Sequence, residues 1–223
     1  MTGPLLLFVH GWAGTPRLWD PVRAALSARG VDCADMACVD LNGLYGTLPA
    51  GGIRWDGQGD HEGRPVIGIG HSLGSALLLA HGPVLAGFVA LNGFTRFTSA
   101  PDFPAGTPPR VLAQMRRRLL ANAPAVLADF HARAGLPPPA GLPGADVLAS
   151  GLDLLGGIDA RTALAALDVP WVALGGADDA IVPPDQSRAS FPAVLLVPGG
   201  GHALPVLQPD LCAAHILSVA ARC

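Results

Sequence analysis

Ser72 sits in Gly70-His71-Ser72-Leu73-Gly74, a G-x-S-x-G pentapeptide between the apolar run Pro65–Ile69 and the helix-like run Ser75–Ala80. A serine hydroxyl is a weak nucleophile until a neighbouring base takes its proton. That base in turn needs a carboxylate to orient it and to stabilise its positive charge. Two later loops offer these groups in the order Ser, Asp, His. Asp178 and Asp179 lie in Gly175-Gly176-Ala177-Asp178-Asp179-Ala180-Ile181-Val182-Pro183, and His202 lies in Gly199-Gly200-Gly201-His202-Ala203. Asp179 is favoured over Asp178 because it opens the Asp-x-Ile-Val-Pro stretch. The three glycines let the chain carry His202 back over a sheet edge towards Ser72. A loop aspartate alone often caps a turn, so the ordered set carries the reading and no single member does. Such a set performs acyl transfer, which also needs two backbone N–H groups aimed at the developing oxyanion. Leu73, directly after the serine, and Trp12, in His10-Gly11-Trp12, are the candidate donors. The Trp12 side chain reads either as a wall of the acyl pocket or as a packed surface aromatic.

Positioning these groups requires a sheet. Leu5–Val9 is a continuous apolar run, as expected of a strand buried on both faces. Thr15, with Pro16 behind it, predicts a helix to about Arg29, and Val31–Val39 is a plausible second strand. Pro65–Ile69 leads into the pentapeptide, where a tight strand-to-helix turn would push Ser72 up at the sheet's carboxyl edge. Gly87–Asn92, Pro170–Leu174 and Ala193–Val197 read as further strands, and Pro209–Arg222 as a final amphipathic helix. Strand, helix, strand in this order predicts right-handed crossovers and a parallel sheet. From Phe94 to Leu167 the strand signals stop and the pattern is helical and proline-punctuated. The expected organisation is therefore a core of residues 1–93 and 168–223, with 94–167 a helical lid inserted above the sheet. In that insertion Val111, Leu112, Met115 and Leu119 share one helical face. Arg110 and Arg117 lie opposite, with Arg116 and Arg118 on the flanks.

Composition narrows the partners. Half of the 223 residues are hydrophobic and 14% are charged, which excludes a disordered chain, and the net charge of −3 argues against a nucleic-acid binder. All 14 basic residues are arginine. Six of them fall within 94–133 beside only Asp102 and Asp129, a positive stretch on an otherwise negative chain. That run fits a solvated outer face or a docking surface for an acidic partner. Cys33, Cys38, Cys212 and Cys223 lack metal spacing and read as reduced thiols. His61, His81, His131 and His215 form no metal-like pattern, so no zinc and no other cofactor is expected. His10 is expected to brace its loop and His71 to fill the variable position of the pentapeptide. The Leu5–Val9 run has no basic residue before it and is too short for a signal core or a membrane span, so a cytoplasmic monomer without a membrane anchor is expected.

Together, His10-Gly11-Trp12, Gly70–Gly74, Asp179-x-Ile181-Val182-Pro183 and Gly201-His202 resemble the α/β-hydrolase superfamily over nearly the whole chain. A narrower likeness is to the pimeloyl-[acyl-carrier protein] methyl ester esterases of biotin synthesis. It rests on Gly11-Trp12, Val111-Leu112-Ala113, Asp129-Phe130, Gly151-Leu152-Asp153-Leu154-Leu155 and Asp159-x-Arg161. The resemblance implies an α/β-hydrolase fold in which Ser72, Asp179 and His202 hydrolyse the methyl ester of a pimeloyl chain tethered to its acyl-carrier protein. Phe130 would line the acyl channel, and Arg110, Arg116, Arg117 and Arg118 would hold the acidic carrier. An acyl thioesterase, a general short-chain carboxylesterase acting on small-molecule esters, and a non-catalytic ligand-binding protein of the same fold stay open. Members of the superfamily usually have two strands before the one at Leu5 and a helix before the pentapeptide strand. A mostly parallel sheet shortened at its N-terminal side is therefore expected, with no helix between Asn42 and Arg64.

Overall fold

The structure is a computed structural model and describes residues 3–45, 48, 52–55, 63–136 and 140–223. Six strands form one sheet: β1 (Leu5–Val9), β2 (Met36–Val39), β3 (Val66–His71), β4 (Gly87–Leu91), β5 (Trp171–Gly176) and β6 (Leu195–Val197). Their spatial order is β2-β1-β3-β4-β5-β6, and every neighbouring pair is parallel. The order reverses at β1, whose neighbours are β2 and β3. In open α/β sheets, a reversal of this kind leaves a crevice at the carboxyl ends of the strands.

Both faces of the sheet are covered, which is why its strands read as unbroken apolar runs. Leu5, Leu7 and Val9 point into one core with Phe88, Ala90, Leu73 and Leu77. Leu6 and Phe8 point the other way, to Ile67, Ile69, Trp19, Ile216 and Val219. Helix α1 (Asp20–Ser27) and helix α9 (Pro209–Ala220) pack together on this second face. The predicted first helix is split: a 3-10 turn over Pro16–Trp19 precedes α1. The second strand is also shorter than Val31–Val39. Asp32 accepts a hydrogen bond from the Ala34 N–H and starts a 3-10 turn over Cys33–Asp35, which delays the strand to Met36. Of the stretch from Asn42 to Arg64, the described residues include a 3-10 turn at Leu41–Gly43 and no α-helix. His61 lies outside the described residues.

Helix α2 (Leu73–His81) follows β3 directly. Between β4 and β5 come α3 (Pro109–Ala121), α4 (Ala123–Ala134), α5 (Ala145–Gly157) and α6 (Arg161–Ala165). Asn122 caps α4 by accepting from the Ala125 N–H, and Gly135, in the left-handed region at φ 70°, ends it. The two ends of this insertion are tied together. Ala160 N–H donates to the Thr95 carbonyl, Arg96 pairs with Asp159 at 2.7 Å, and Arg161 pairs with both Asp159 and Asp102. Helices α7 (Pro184–Ser190) and α8 (Leu204–Leu207) complete the chain. No helix of the described residues is long and apolar enough to cross a membrane. All four cysteines are free thiols.

Candidate active site

Ser72 stands between β3 and α2 at φ 53°, ψ −123°, a backbone conformation that costs a non-glycine residue about 1–3 kcal/mol. The neighbouring glycines explain how it is tolerated. A Cβ at Gly70 would collide with the Ser75 backbone, and one at Gly74 with the carbonyls of Val9 and His10. The helix therefore starts in direct contact with the sheet, and the Ser72 side chain projects from the carboxyl edge. A Cβ on Gly11 would come within 2.8 Å of the Ser72 Cβ, so the His10-Gly11-Trp12 loop lies against the serine.

The structure brings the three predicted side chains together. Ser72 Oγ–H donates to His202 Nε2 at 3.1 Å, and His202 Nδ1–H donates to Asp179 Oδ2 at 2.8 Å. Asp178 is not part of this chain of contacts. Asp179 and His202 are almost wholly buried, at 4% and 1% exposure, and Ser72 keeps 7%. Burial pushes the Asp179 carboxyl up, but the His202 charge and hydrogen bond, with the Ile181 and Val182 N–H groups, outweigh it. The net direction is below the usual carboxylate range. Asp179 thus stays ionised although buried, because both of its oxygens are satisfied: Oδ1 accepts from Ile181 and Val182, and Oδ2 from His202 and Asn92.

Two members of this arrangement were not singled out from sequence. Asn92 follows β4 and has φ 49°. Its Nδ2 donates to Asp179 Oδ2 and to the Gly201 carbonyl, each at 2.8 Å, while its Oδ1 accepts from Leu204 N–H. One buried amide therefore ties the aspartate loop to the histidine loop. The available signal was a polar residue, able to adopt left-handed backbone, at the carboxyl end of a buried strand. His71 does more than fill a variable position. Its Nε2–H donates to the His202 carbonyl at 2.7 Å, and the two imidazole rings lie 4.9 Å apart. Burial, and next the His202 charge, lower the His71 pKa to about 3, so this ring is neutral at ordinary pH. His10 braces its loop, donating from Nδ1 to the Gly11 carbonyl and accepting at Nε2 from Leu41 N–H.

That buried neutral imidazole has a consequence for stability. Above about pH 6.5 His71 is uncharged whether the chain is folded or not. Between that pH and about 3 the unfolded chain takes a proton that the folded one refuses, so stability falls as pH drops through this window. His81 and His131, also lowered by burial, act in the same direction. Urea unfolding is expected to show roughly 2–3 kcal/mol less stability at pH 4.5 than at pH 7 from His71 alone. A His71→Gln variant should flatten that slope.

Neither Trp12 N–H nor Leu73 N–H, the two candidate oxyanion donors, has an acceptor among the described residues. Leu73 is the first residue of α2, where backbone N–H groups point outward and the helix dipole favours negative charge. The Trp12 side chain is buried: its Nε1–H donates to the Leu148 carbonyl of α5 at 2.8 Å, and its ring meets Phe130 of α4 edge-on. Both aromatics line an apolar cleft that opens on Ser72, with Leu112 and Met115 of α3, Leu152 of α5 and Ile181. Val111 was expected on the buried face of α3. It is half-exposed at the rim of this cleft, while Leu112 and Leu119 are buried. Arg110, Arg117 and Arg118 are exposed on the outer side of α3, and Arg116 sits 2.7 Å from Asp153 of α5.

The chain belongs to the alpha/beta hydrolase family, which it matches over residues 6–215. Its sequence is 31% identical to a pimeloyl-[acyl-carrier protein] methyl ester esterase of Stenotrophomonas maltophilia, over 96% of this chain and 92% of that one. It is 27% identical to the protein of the same name from Shewanella oneidensis, over 90% and 85%. Among solved structures, a bromoperoxidase from Bacillus anthracis superposes with a TM-score of 0.78 at 18% identity, covering 99% of this chain and 92% of that one. The last likeness concerns the fold alone. Family and relatives together support a hydrolase.

Proposed function

We propose that the protein is a serine carboxylesterase that removes the methyl group from a pimeloyl methyl ester carried by acyl-carrier protein, in the cytoplasmic synthesis of the biotin precursor. The observation that carries the esterase reading is the Ser72–His202–Asp179 relay, lying under a strained strand-to-helix turn with two unpartnered N–H groups beside it. The carrier-linked substrate is supported by the names of the relatives and by the exposed arginines of α3.

In this mechanism Ser72 Oγ adds to the ester carbonyl carbon as His202 Nε2 takes the hydroxyl proton. The carbonyl π electrons move onto oxygen, and the oxyanion is received by the N–H groups of Trp12 and Leu73. Asp179 holds the imidazolium. His202 then gives its proton to the departing methoxide oxygen, the carbon–oxygen bond breaks, and methanol leaves a Ser72 acyl-enzyme. Water repeats the cycle: His202 takes its proton, hydroxide adds to the acyl carbon, and the proton returns to Ser72 Oγ as the free acid departs. Trp12 and Phe130 wall the acyl chain. On the lid formed by the insertion, Arg110, Arg117 and Arg118 attract the acidic carrier. Arg116, beside Asp153, contributes less free charge.

Mass spectrometry of methyl-pimeloyl carrier protein incubated with the enzyme tests this reading. The carrier is expected to lose the mass of one methylene, as methyl ester becomes acid, while the thioester stays intact. Arg110→Glu/Arg117→Glu/Arg118→Glu should slow this reaction at low salt and leave hydrolysis of p-nitrophenyl butyrate unchanged. An unaltered carrier alongside rapid p-nitrophenyl ester hydrolysis would sink the carrier-linked substrate and leave a general esterase.

A further inference from the structure

His202 must hold a fixed place, yet its own loop gives it little support. The loop is anchored up to Gly200, whose carbonyl accepts from Asp178 N–H and lies where a Cβ at Gly176 would collide with it. Beyond Gly200 the packing opens: a Cβ at Gly201 would have its nearest neighbour 3.9 Å away. The peptides on either side of His202 are gripped by side chains instead. Asn92 Nδ2 donates to the Gly201 carbonyl, and Asn92 Oδ1 accepts from Leu204 N–H. His71 Nε2–H donates to the His202 carbonyl between them.

The same amide reaches the carboxylate. Asn92 Nδ2 also donates to Asp179 Oδ2, the oxygen that accepts from His202 Nδ1–H. A primary amide supplies two N–H donors and an acceptor from one short side chain, and all three functions are used here. Asn92 is fully buried, and its φ of 49° is one that Asn and Asp adopt more readily than most residues. It is not among the described residues that line the cleft, so its influence on the reaction passes through its partners. The ionisable groups around this junction are Asp179 on the β5 loop, His202 on the β6 loop, His71 at the end of β3 and Cys212 of α9. His71 is neutral at ordinary pH. The Cys212 thiol, pushed up to about 12 by burial, donates to the Leu204 carbonyl. Asp179 is therefore the negative charge that the amide faces.

We propose that Asn92 is a positioning residue for ester hydrolysis: its amide fixes His202 on the line between Ser72 and Asp179, and turnover depends on a hydrogen-bond donor at position 92. This inference rests on the esterase reading and deepens it. Two variants separate this role from a merely structural one. Asn92→Gly suits the left-handed backbone and removes the amide at every pH. Asn92→Asp keeps size and backbone preference but makes the donor depend on pH. A carboxyl there meets Asp179 at hydrogen-bond distance, and two carboxylates so close cannot both ionise easily, so its proton is held above the usual carboxylate range. While protonated, it donates to Asp179 Oδ2 as the amide does. Once ionised it repels Asp179 and donates to nothing.

The test measures kcat and KM for p-nitrophenyl butyrate from about pH 5.5 to about pH 8.5. Asn92→Gly is expected to lower kcat about a hundredfold relative to the wild type at every pH, with KM unchanged. Asn92→Asp is expected to run within about tenfold of the wild type at the acid end and to fall towards the Asn92→Gly level as pH rises. Circular dichroism reports that each variant is folded, and should one fail to fold, the other decides. A folded Asn92→Gly enzyme whose kcat stays within about threefold of the wild type, or whose loss falls on KM, overturns the inference. So does a ratio of Asn92→Asp to wild type that stays constant across pH. Either result leaves the esterase standing. A wild type inert towards the ester, or one whose hydrolysis survives Ser72→Ala, overturns the esterase reading and this inference with it.

Discussion

Ser72→Ala is expected to lower ester hydrolysis by about five orders of magnitude and to abolish covalent labelling by fluorophosphonates. Alanine keeps the Cβ whose approach to Gly11 shapes the loop, so the fold should be retained. In the proposed mechanism Ser72, His202 and Asp179 act on one proton path, so their losses should not add. A Ser72→Ala/His202→Ala double variant should be no slower than Ser72→Ala alone. What remains is the rate supplied by binding and by the two N–H donors, about 10³–10⁴ above water. Single-turnover measurements with a p-nitrophenyl ester decide the matter. A residual rate within tenfold of the wild type would exclude Ser72 as the nucleophile.

Asp179→Asn is expected to cost about 10⁴ in kcat with little change in KM, and the structure says why in detail. Ile181 and Val182 both point N–H groups at one oxygen of residue 179, while His202 and Asn92 donate to the other. An asparagine must place its carbonyl oxygen towards the two backbone donors, which cannot rotate away. Its NH2 group then faces His202 Nδ1 and forces the tautomer with the proton on Nε2. That proton points at Ser72 Oγ, where the proposed mechanism needs a lone pair. Crowding between two amide groups, at 179 and at Asn92, adds to the damage. The measurement is kcat across pH. A variant retaining more than about a tenth of wild-type activity near pH 7 would mean that Asp179 only holds the loop.

Parts of this arrangement were legible because they are local. Leu5–Val9 and Gly87–Leu91 announce themselves as apolar runs because both faces of the sheet are covered. The G-x-S-x-G pattern reports a close approach of helix to sheet that only glycine permits. The partners of Asn92 were not legible for the opposite reason: they lie 87, 109 and 112 residues away. His71 likewise meets a carbonyl 131 residues distant. The Arg116–Asp153 contact depends on how α3 crosses α5, which helical periodicity does not fix. The late start of β2 was decided by an aspartate capping a turn, a local hydrogen bond that competed with the strand pattern. The aromatic wall was half visible, since Trp12 and Phe130 were both expected at the acyl chain, but their edge-on contact is a fact of tertiary packing.

The fastening at the base of the helical insertion has a further meaning. Between β4 and β5 the chain passes Thr95 soon after leaving the sheet and Ala160 just before α6, and these two residues share a backbone hydrogen bond, so the long excursion between them begins and ends at nearly one point. Arg96, Asp159, Arg161 and Asp102 close that point with ion pairs. A loop whose ends already touch adds little strain when its contents grow or shrink, because loop-closure entropy rises only slowly with length. The segment between those ends can therefore change length without moving its attachment point, although its helices share the core with β1 and Trp12. A change of length there is expected to leave the strands that hold Ser72, Asp179 and His202 as they are.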